Sequence, residues 1–156
     1  MTRTRIRLAL PILALALLGT LTWLLPRTEA ARLKAYYVTL FQDAQVVTIS
    51  PFDGTFTGVP PKTVTRRDHP AFFSFLQEAM RRGAVREAEQ TTRDTPWALT
   101  VTDKNGRRTE VVVDGWLWSR DQPKSGDLRF RPVLANGKEG IADRVTELMG
   151  APKPSH

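Results

Sequence analysis

The feature that most constrains this chain is an uninterrupted apolar run near its N-terminus. Residues 8–25 carry no charge, and Arg3, Arg5 and Arg7 precede them. A helix of this length is about 27 Å long, which is close to the hydrocarbon thickness of a bilayer. The run therefore predicts a membrane-directing helix, because a core helix of a soluble protein would have a polar face.

This segment is either a membrane anchor that is retained or a signal peptide that is removed. The length of the run and Trp23 near its far end favour a retained anchor, since signal-peptide cores are usually about 7–15 residues long. The residues from Thr28 to Ala30 resemble a weak small-x-Ala cleavage site, which favours a removed signal peptide. Either way, residues 1–30 form the targeting segment, 31–150 a folded domain and 151–156 a flexible tail.

Charge sets the expected orientation. The cluster of arginines lies before the apolar run, so the N-terminus is expected in the cytoplasm and the domain outside it. The expected location is a bacterial cytoplasmic membrane, crossed once, or the periplasm or exterior after signal cleavage. The bacterial assignment rests on composition alone, since arginine is used far more often than lysine.

Composition excludes some classes of site. The chain has no cysteine, so disulfides and thiolate metal sites are excluded. From Ala31 onward there are 19 Lys/Arg and 15 Asp/Glu, and the basic residues are scattered among the acids. A nucleic-acid binder usually has a basic stripe instead, so no nucleic-acid partner is expected.

The predicted fold class is α+β: the N-terminal membrane-directing helix, followed by a small antiparallel sheet with two helices packed on one face. A strand is predicted over 45–50 and a short one over 63–66. Helices are predicted over 68–83, with Asp68 as N-cap and Gly83 as left-handed cap, and over 141–149. Residues 31–44 are predicted to be helical at first and to become a strand near Tyr37. Residues 86–95 are predicted to be a polar connection.

The most specific local prediction is a hairpin from 96 to 118. A three-residue turn with Gly106 left-handed pairs Leu99 with Val111 and Trp97 with Val113, which places the apolar side chains on one face. Gly115 then interrupts the second strand. A bulge there would turn Trp116 and Trp118 into the core; otherwise the two indoles form an exposed pair.

The candidate partner-binding residues are Trp116, Trp118, Arg129 and Arg131. Tryptophan and arginine are enriched where proteins bind one another, whereas large aromatics on a small sheet are more often core. Leu128 and Phe130 alternate with the two arginines, so the arginines share a sheet face. Arg107, Arg108 and Arg120 are further candidates for a basic face, with ordinary solvated alternation as the competing interpretation.

No catalytic, cofactor or metal site is predicted. His69 is the only histidine before the C-terminal His156, and a small hydrolase would need it to meet a distant carboxylate such as Asp53 or Asp94. The favoured function is a non-catalytic, membrane-tethered binding module of the bacterial envelope. Its partners would be the membrane and another envelope protein. The alternatives are a structural subunit of an envelope complex, a toxin-immunity or inhibitor protein and, less favoured, a hydrolase.

Overall fold

The structure is a computed structural model that describes residues 28–52, 58–87, 97–113, 115–134 and 141–151. The apolar run at 8–25 lies outside the described residues. Among those that are described, no helix is long and apolar enough to cross a bilayer. The described part is an α+β domain with a seven-stranded antiparallel sheet and three helices, which confirms the predicted class.

The elements alternate along the chain, and all strands join one sheet. The helices are α1 at residues 28–43, α2 at Pro70–Arg82 and α3 at Ile141–Met149. The strands are β1 (Ala44–Pro51), β2 (Lys62–Thr65), β3 (Ala84–Glu87), β4 (Trp97–Asp103), β5 (Arg108–Val113), β6 (Leu117–Trp118) and β7 (Leu128–Arg131). Their order across the sheet is β2-β1-β4-β5-β6-β7-β3, and every neighbouring pair is antiparallel.

The start of the domain differs from its prediction, because α1 continues through Tyr37 instead of becoming a strand there. Leu33, Tyr37 and Phe41 are spaced by four residues, so they lie on one helix face, and all three are buried. Burial of this stripe against the sheet outweighs the strand propensity of the surrounding aromatic and β-branched residues. The domain therefore has a third packed helix where two were predicted.

Arg66 fixes the end of α1. Its Nε donates a hydrogen bond to the Ala44 carbonyl oxygen at 2.7 Å, and Nη2 donates to the Gln42 carbonyl oxygen at 2.9 Å. The same guanidinium carbon lies 5.2 Å from the ring centroid of Phe73 in α2. The last carbonyls of a helix lack intrahelical partners, so a cation here satisfies them and links two helices.

Helix α2 confirms the prediction over 68–83 but not its caps. The N-cap is His69, which makes no side-chain capping bond, and Pro70 is the first helical residue. Asp68 does not cap the helix, because its carboxylate accepts a hydrogen bond from Thr65 Oγ1 at 2.6 Å.

Gly83 is required for close packing and not for a left-handed cap. Its φ is −57°, which any residue adopts. A Cβ at this position would lie 2.1 Å from Cζ of Phe130, so any side chain would collide with that ring.

The hairpin of β4 and β5 confirms the predicted register. Trp97 pairs with Val113 and Leu99 with Val111, and Gly106 in the turn has a φ of 79°. The predicted polar connection at 86–95 is wrong in its first part, because β3 pairs with β7 there. A four-residue strand in which two apolar residues are followed by two charged ones has too little periodicity to be identified from its own sequence.

One hydrophobic core lies between the sheet and the three helices. The indole Nε1 of Trp97 in β4 donates to Thr146 Oγ1 of α3 at 2.9 Å, and the ring of Tyr37 stacks on Phe130 of β7 with centroids 5.2 Å apart. Within the described residues, no buried side-chain nitrogen or oxygen lacks a hydrogen-bond partner. The largest fully buried side chains are Trp97, Tyr37, Phe41, Phe73, Phe130, Leu33, Ile49, Leu76, Met80, Leu99, Leu117 and Val47.

Candidate functional site

The sheet has a covered face, against which the helices pack, and an opposite face, which we call the open face. The buried apolar side chains of all three described helices belong to the one core cluster on the covered face. Strand positions alternate between the two faces, and the registers align them in rows across the sheet. One row on the open face is Ser50, Ala98, Val112, Trp118, Arg129 and Arg86.

Trp118 lies on the open face, so a bulge that turns both tryptophans inward is wrong. Gly115 has a φ of 92°, and the chain reverses near it so that β6 runs antiparallel to β5. Leu117 then pairs with Val113 and is fully buried, whereas Trp118 pairs with Val112 and is 41% exposed. Trp118 is therefore the most exposed large apolar side chain in the described part of the chain.

Trp116 lies beside Trp118 but is largely covered. It is 9% exposed, and the guanidinium carbon of Arg131 lies 5.7 Å from the centroid of its ring. This distance is typical of a cation–π contact. The indole thus supports the guanidinium of Arg131, which stays exposed above it.

Arg129 completes the predicted set. The pairing of Leu117 with Phe130 places Trp118 next to Arg129 and Trp116 next to Arg131. Nη1 of Arg129 donates to the carbonyl oxygens of Gly126 and Leu128, both at 3.0 Å. All four predicted partner-binding residues therefore lie together on the open face at the β6–β7 side of the sheet.

The sequence prediction missed one member of this surface. Arg86 of β3 pairs directly with Arg129 and is exposed. It was missed because β3 was predicted to be a loop. We call the five residues Arg86, Trp116, Trp118, Arg129 and Arg131 the Trp–Arg surface.

The other arginines proposed for a basic face lie elsewhere. Arg108 is on the open face but pairs with Thr102 at the far end of the hairpin. Arg120 is exposed in the turn after β6. Arg107 lines a cavity of about 490 Å³ between α1 and the hairpin turn, with Tyr36 in its wall. Burial raises the pKa of the Tyr36 phenol, which donates a hydrogen bond to Ser119 Oγ at 3.2 Å.

The histidine site of the hydrolase alternative is incomplete within the described residues. His69 is exposed at the start of α2 and faces a groove that Arg144 and Glu147 of α3 also line. Asp53 and Asp94, its suggested carboxylate partners, lie outside the described residues. Among the described side chains, no group of three or more acidic residues and histidines is arranged to hold a metal ion.

Comparisons of the chain with protein-family models, with curated proteins and with solved structures give no match. The function is therefore inferred from the geometry and charge of the described residues.

Proposed function

We propose that the protein is a non-catalytic binding module of the bacterial envelope, tethered by residues 8–25 with its domain outside the cytoplasm. In this proposal it binds another envelope protein through the Trp–Arg surface. The observation that carries the proposal is the 41% exposure of Trp118 on a sheet face that no described helix covers.

The composition of the Trp–Arg surface supports a role in protein binding. Tryptophan and arginine are the residues most enriched at the energetic centres of protein interfaces. Trp118 has three arginines of β3 and β7 on one side, whereas Val112 and Ala98 on its other side are buried, so the exposed patch consists of the indole and the arginines. Such a patch combines an apolar anchor with charged groups that orient a partner.

The position of α1 supports a tether close to the membrane. Leu33 is buried in the core and follows the last residue of the apolar run by eight positions. Eight residues span at most about 28 Å even when fully extended, so a retained anchor would hold the domain near the bilayer. The intact mass of the full chain from bacterial membranes tests this part: a chain that begins near Met1 supports the anchor, and one that begins at Ala31 supports cleavage.

Site-specific photo-crosslinking in native membranes tests the binding proposal. A photo-reactive amino acid replaces Trp118 in the full chain, and a matched variant carries it at Thr100, which lies on the open face in β4. We expect a discrete protein adduct from position 118 only, and we expect Arg129→Gln to weaken it. Equal adducts at both positions, or none at 118, would overturn the proposal.

Replacement of residues 8–25 by an unrelated membrane span separates this function from its main alternative. A binding module should keep its adduct at position 118, because the surface is in the domain. A structural subunit that assembles through its anchor helix should lose assembly. If the protein is a toxin-immunity or inhibitor protein, the partner crosslinked at position 118 should be a single toxin or hydrolase.

A further inference from the structure

We propose that the partner of the Trp–Arg surface presents an acidic protein segment, with a carboxylate seated between Arg86 and Arg129. This inference rests on the proposed function and specifies the chemistry of the partner.

The first observation is an unfavourable placement of charge. Arg86 and Arg129 are directly opposite each other on neighbouring antiparallel strands. Side chains in such pairs have Cβ atoms about 5 Å apart, and like charges at this position are destabilising. A like-charge pair that weakens the fold is expected where function requires it, because an anion placed between the two groups turns repulsion into attraction.

The second observation is that the described residues form no ion pair at the Trp–Arg surface. The ion pairs between described residues use the acids Asp43, Glu78 and Glu147, and none of these pairs includes an arginine of the Trp–Arg surface. Of the described strand positions on the open face, only Glu110 is acidic, and it lies in β5, beyond β6 and β7 from Arg86. Asp127, two residues before Arg129, is exposed in the turn that precedes β7, so the described part of this surface has three arginines with one nearby acid and is net cationic.

The third observation is that the guanidinium of Arg129 is held in place. Two backbone carbonyls accept hydrogen bonds from its Nη1. A guanidinium has five N–H donors in a planar fork, so donors remain for a carboxylate, which matches that fork in a bidentate arrangement. A fixed guanidinium loses less side-chain entropy when it binds.

Trp118 gives this site an apolar neighbour. It lies beside Arg129, on the side away from Arg86. An apolar side chain that follows the carboxylate in the partner can cover the indole and exclude water from the ion pair. Exclusion of water lowers the local dielectric and strengthens the attraction between carboxylate and guanidinium.

These observations favour a protein over an anionic lipid surface. Helix α1, the first described element, packs on the covered face, whereas the Trp–Arg surface is on the open face. The planar guanidinium groups of these arginines also suit a carboxylate, because two N–H groups of one guanidinium can donate to its two oxygens.

The test uses the full chain in phosphatidylcholine nanodiscs and a short peptide that alternates glutamate and valine around one tyrosine. The matched control peptide has glutamine in place of every glutamate. Binding is measured by titration calorimetry for the natural chain and for Arg86→Gln, Arg129→Gln and Arg108→Gln. Arg108 is the control because it is an exposed arginine on the same face, away from the Trp–Arg surface.

We expect saturable binding of the glutamate peptide that weakens with added salt, and at least about tenfold weaker binding of the glutamine peptide. Arg86→Gln and Arg129→Gln should each weaken the glutamate peptide about fivefold, with no effect of Arg108→Gln. Melting temperatures of the variants, measured alongside, show that each is folded.

Four results would overturn the inference, and the first three concern the peptides: no binding, equal binding of the two peptides, or an equal loss in Arg108→Gln. A fourth is a shift of tryptophan emission in phosphatidylglycerol nanodiscs that Trp118→Phe abolishes, which would identify lipid as the ligand. If a partner is crosslinked at position 118 but one of the first three results is also obtained, the proposed binding function is retained. Only the inference that the partner segment is acidic is then rejected.

Discussion

The two faces of the sheet contrast sharply in how their side chains are arranged. On the covered face, the apolar residues of β1, β4, β5 and β6, with Phe130 of β7, are fully or almost fully buried and form one core cluster with residues of all three described helices. On the open face, an indole is exposed and two arginines are cross-strand neighbours.

The contrast shows that one sheet serves two purposes. The covered face follows the rules of stability: apolar contacts, filled space and a buried indole N–H that is hydrogen-bonded to Thr146. The open face departs from them at the Trp–Arg surface, where exposed apolar area and like charge both lower stability or solubility. Departures of this kind are expected where a surface binds a partner.

The largest expected effect tests the space on the covered face. Gly83→Ala should lower the free energy of unfolding by about 3 kcal/mol, because the new methyl group overlaps the ring of Phe130. Chemical denaturation of the full chain measures it. In a Phe130→Leu background the same substitution should cost less, and an equal cost there would show that the ring is not the obstacle.

The next effect concerns the link between the sheet and α3. Trp97→Phe should lower the free energy of unfolding by about 2 kcal/mol, since it removes buried volume and the hydrogen bond to Thr146 Oγ1. Thr146→Val, which removes the acceptor, should cost less in the Trp97→Phe background than in the natural chain. Additive costs would contradict a direct link between the two residues.

The third prediction concerns alkaline pH. Burial raises the pKa of Tyr37, whose hydroxyl donates to Gln122 Oε1 at 2.6 Å. The folded state therefore holds this proton more tightly than the unfolded state, in which tyrosine titrates near pH 10. Its contribution to stability is complete below about pH 10 and is lost as the pH rises further, by up to about 1.4 kcal/mol per pH unit.

Tyr37→Phe isolates this contribution. Between about pH 8 and about pH 11, the variant should lose less stability than the natural chain, because the proton of Tyr37 no longer takes part. Tyr36 is present in both proteins, so its own contribution to the pH dependence of stability is common to both and does not account for a difference between them. Equal losses in the two chains would show that Tyr37 does not control the alkaline response.

The smallest effect is on the open face and has the opposite sign. Arg86→Gln should raise the melting temperature by about 1 °C, because it removes repulsion from Arg129. The gain should shrink in high salt, where charges are screened, and Arg108→Gln should produce none. A loss of stability in Arg86→Gln would mean that this arginine supports the fold and would weaken the contrast between the faces.

Much of the fold could be predicted because it depends on local rules. The hairpin register follows from the turn around Gly106 and the alternation of its two strands. The two later helices follow from apolar residues at helical spacing. The alternation that puts Arg129 and Arg131 on one face is likewise a property of the β7 sequence alone.

The predictions that were wrong concern segments whose neighbours are distant in the sequence. Residues near Tyr37 suit a strand or a helix equally well, and packing of α1 on the sheet decides between them. The four residues of β3 are a strand only because β7 offers an edge to pair with. Gly83 is explained by Phe130, a residue 47 positions away.

The candidate site shows the same division. The sequence by itself determined which residues have the chemistry to bind a partner: two tryptophans and alternating arginines, in strands whose side chains must alternate between faces. Only the tertiary structure decided that the chain reverses near Gly115, that Trp118 lies outside the core and that Arg86 is beside Arg129. The physical reason is that side-chain alternation is a property of one strand, whereas exposure and cross-strand neighbours depend on which strands and helices pack against it.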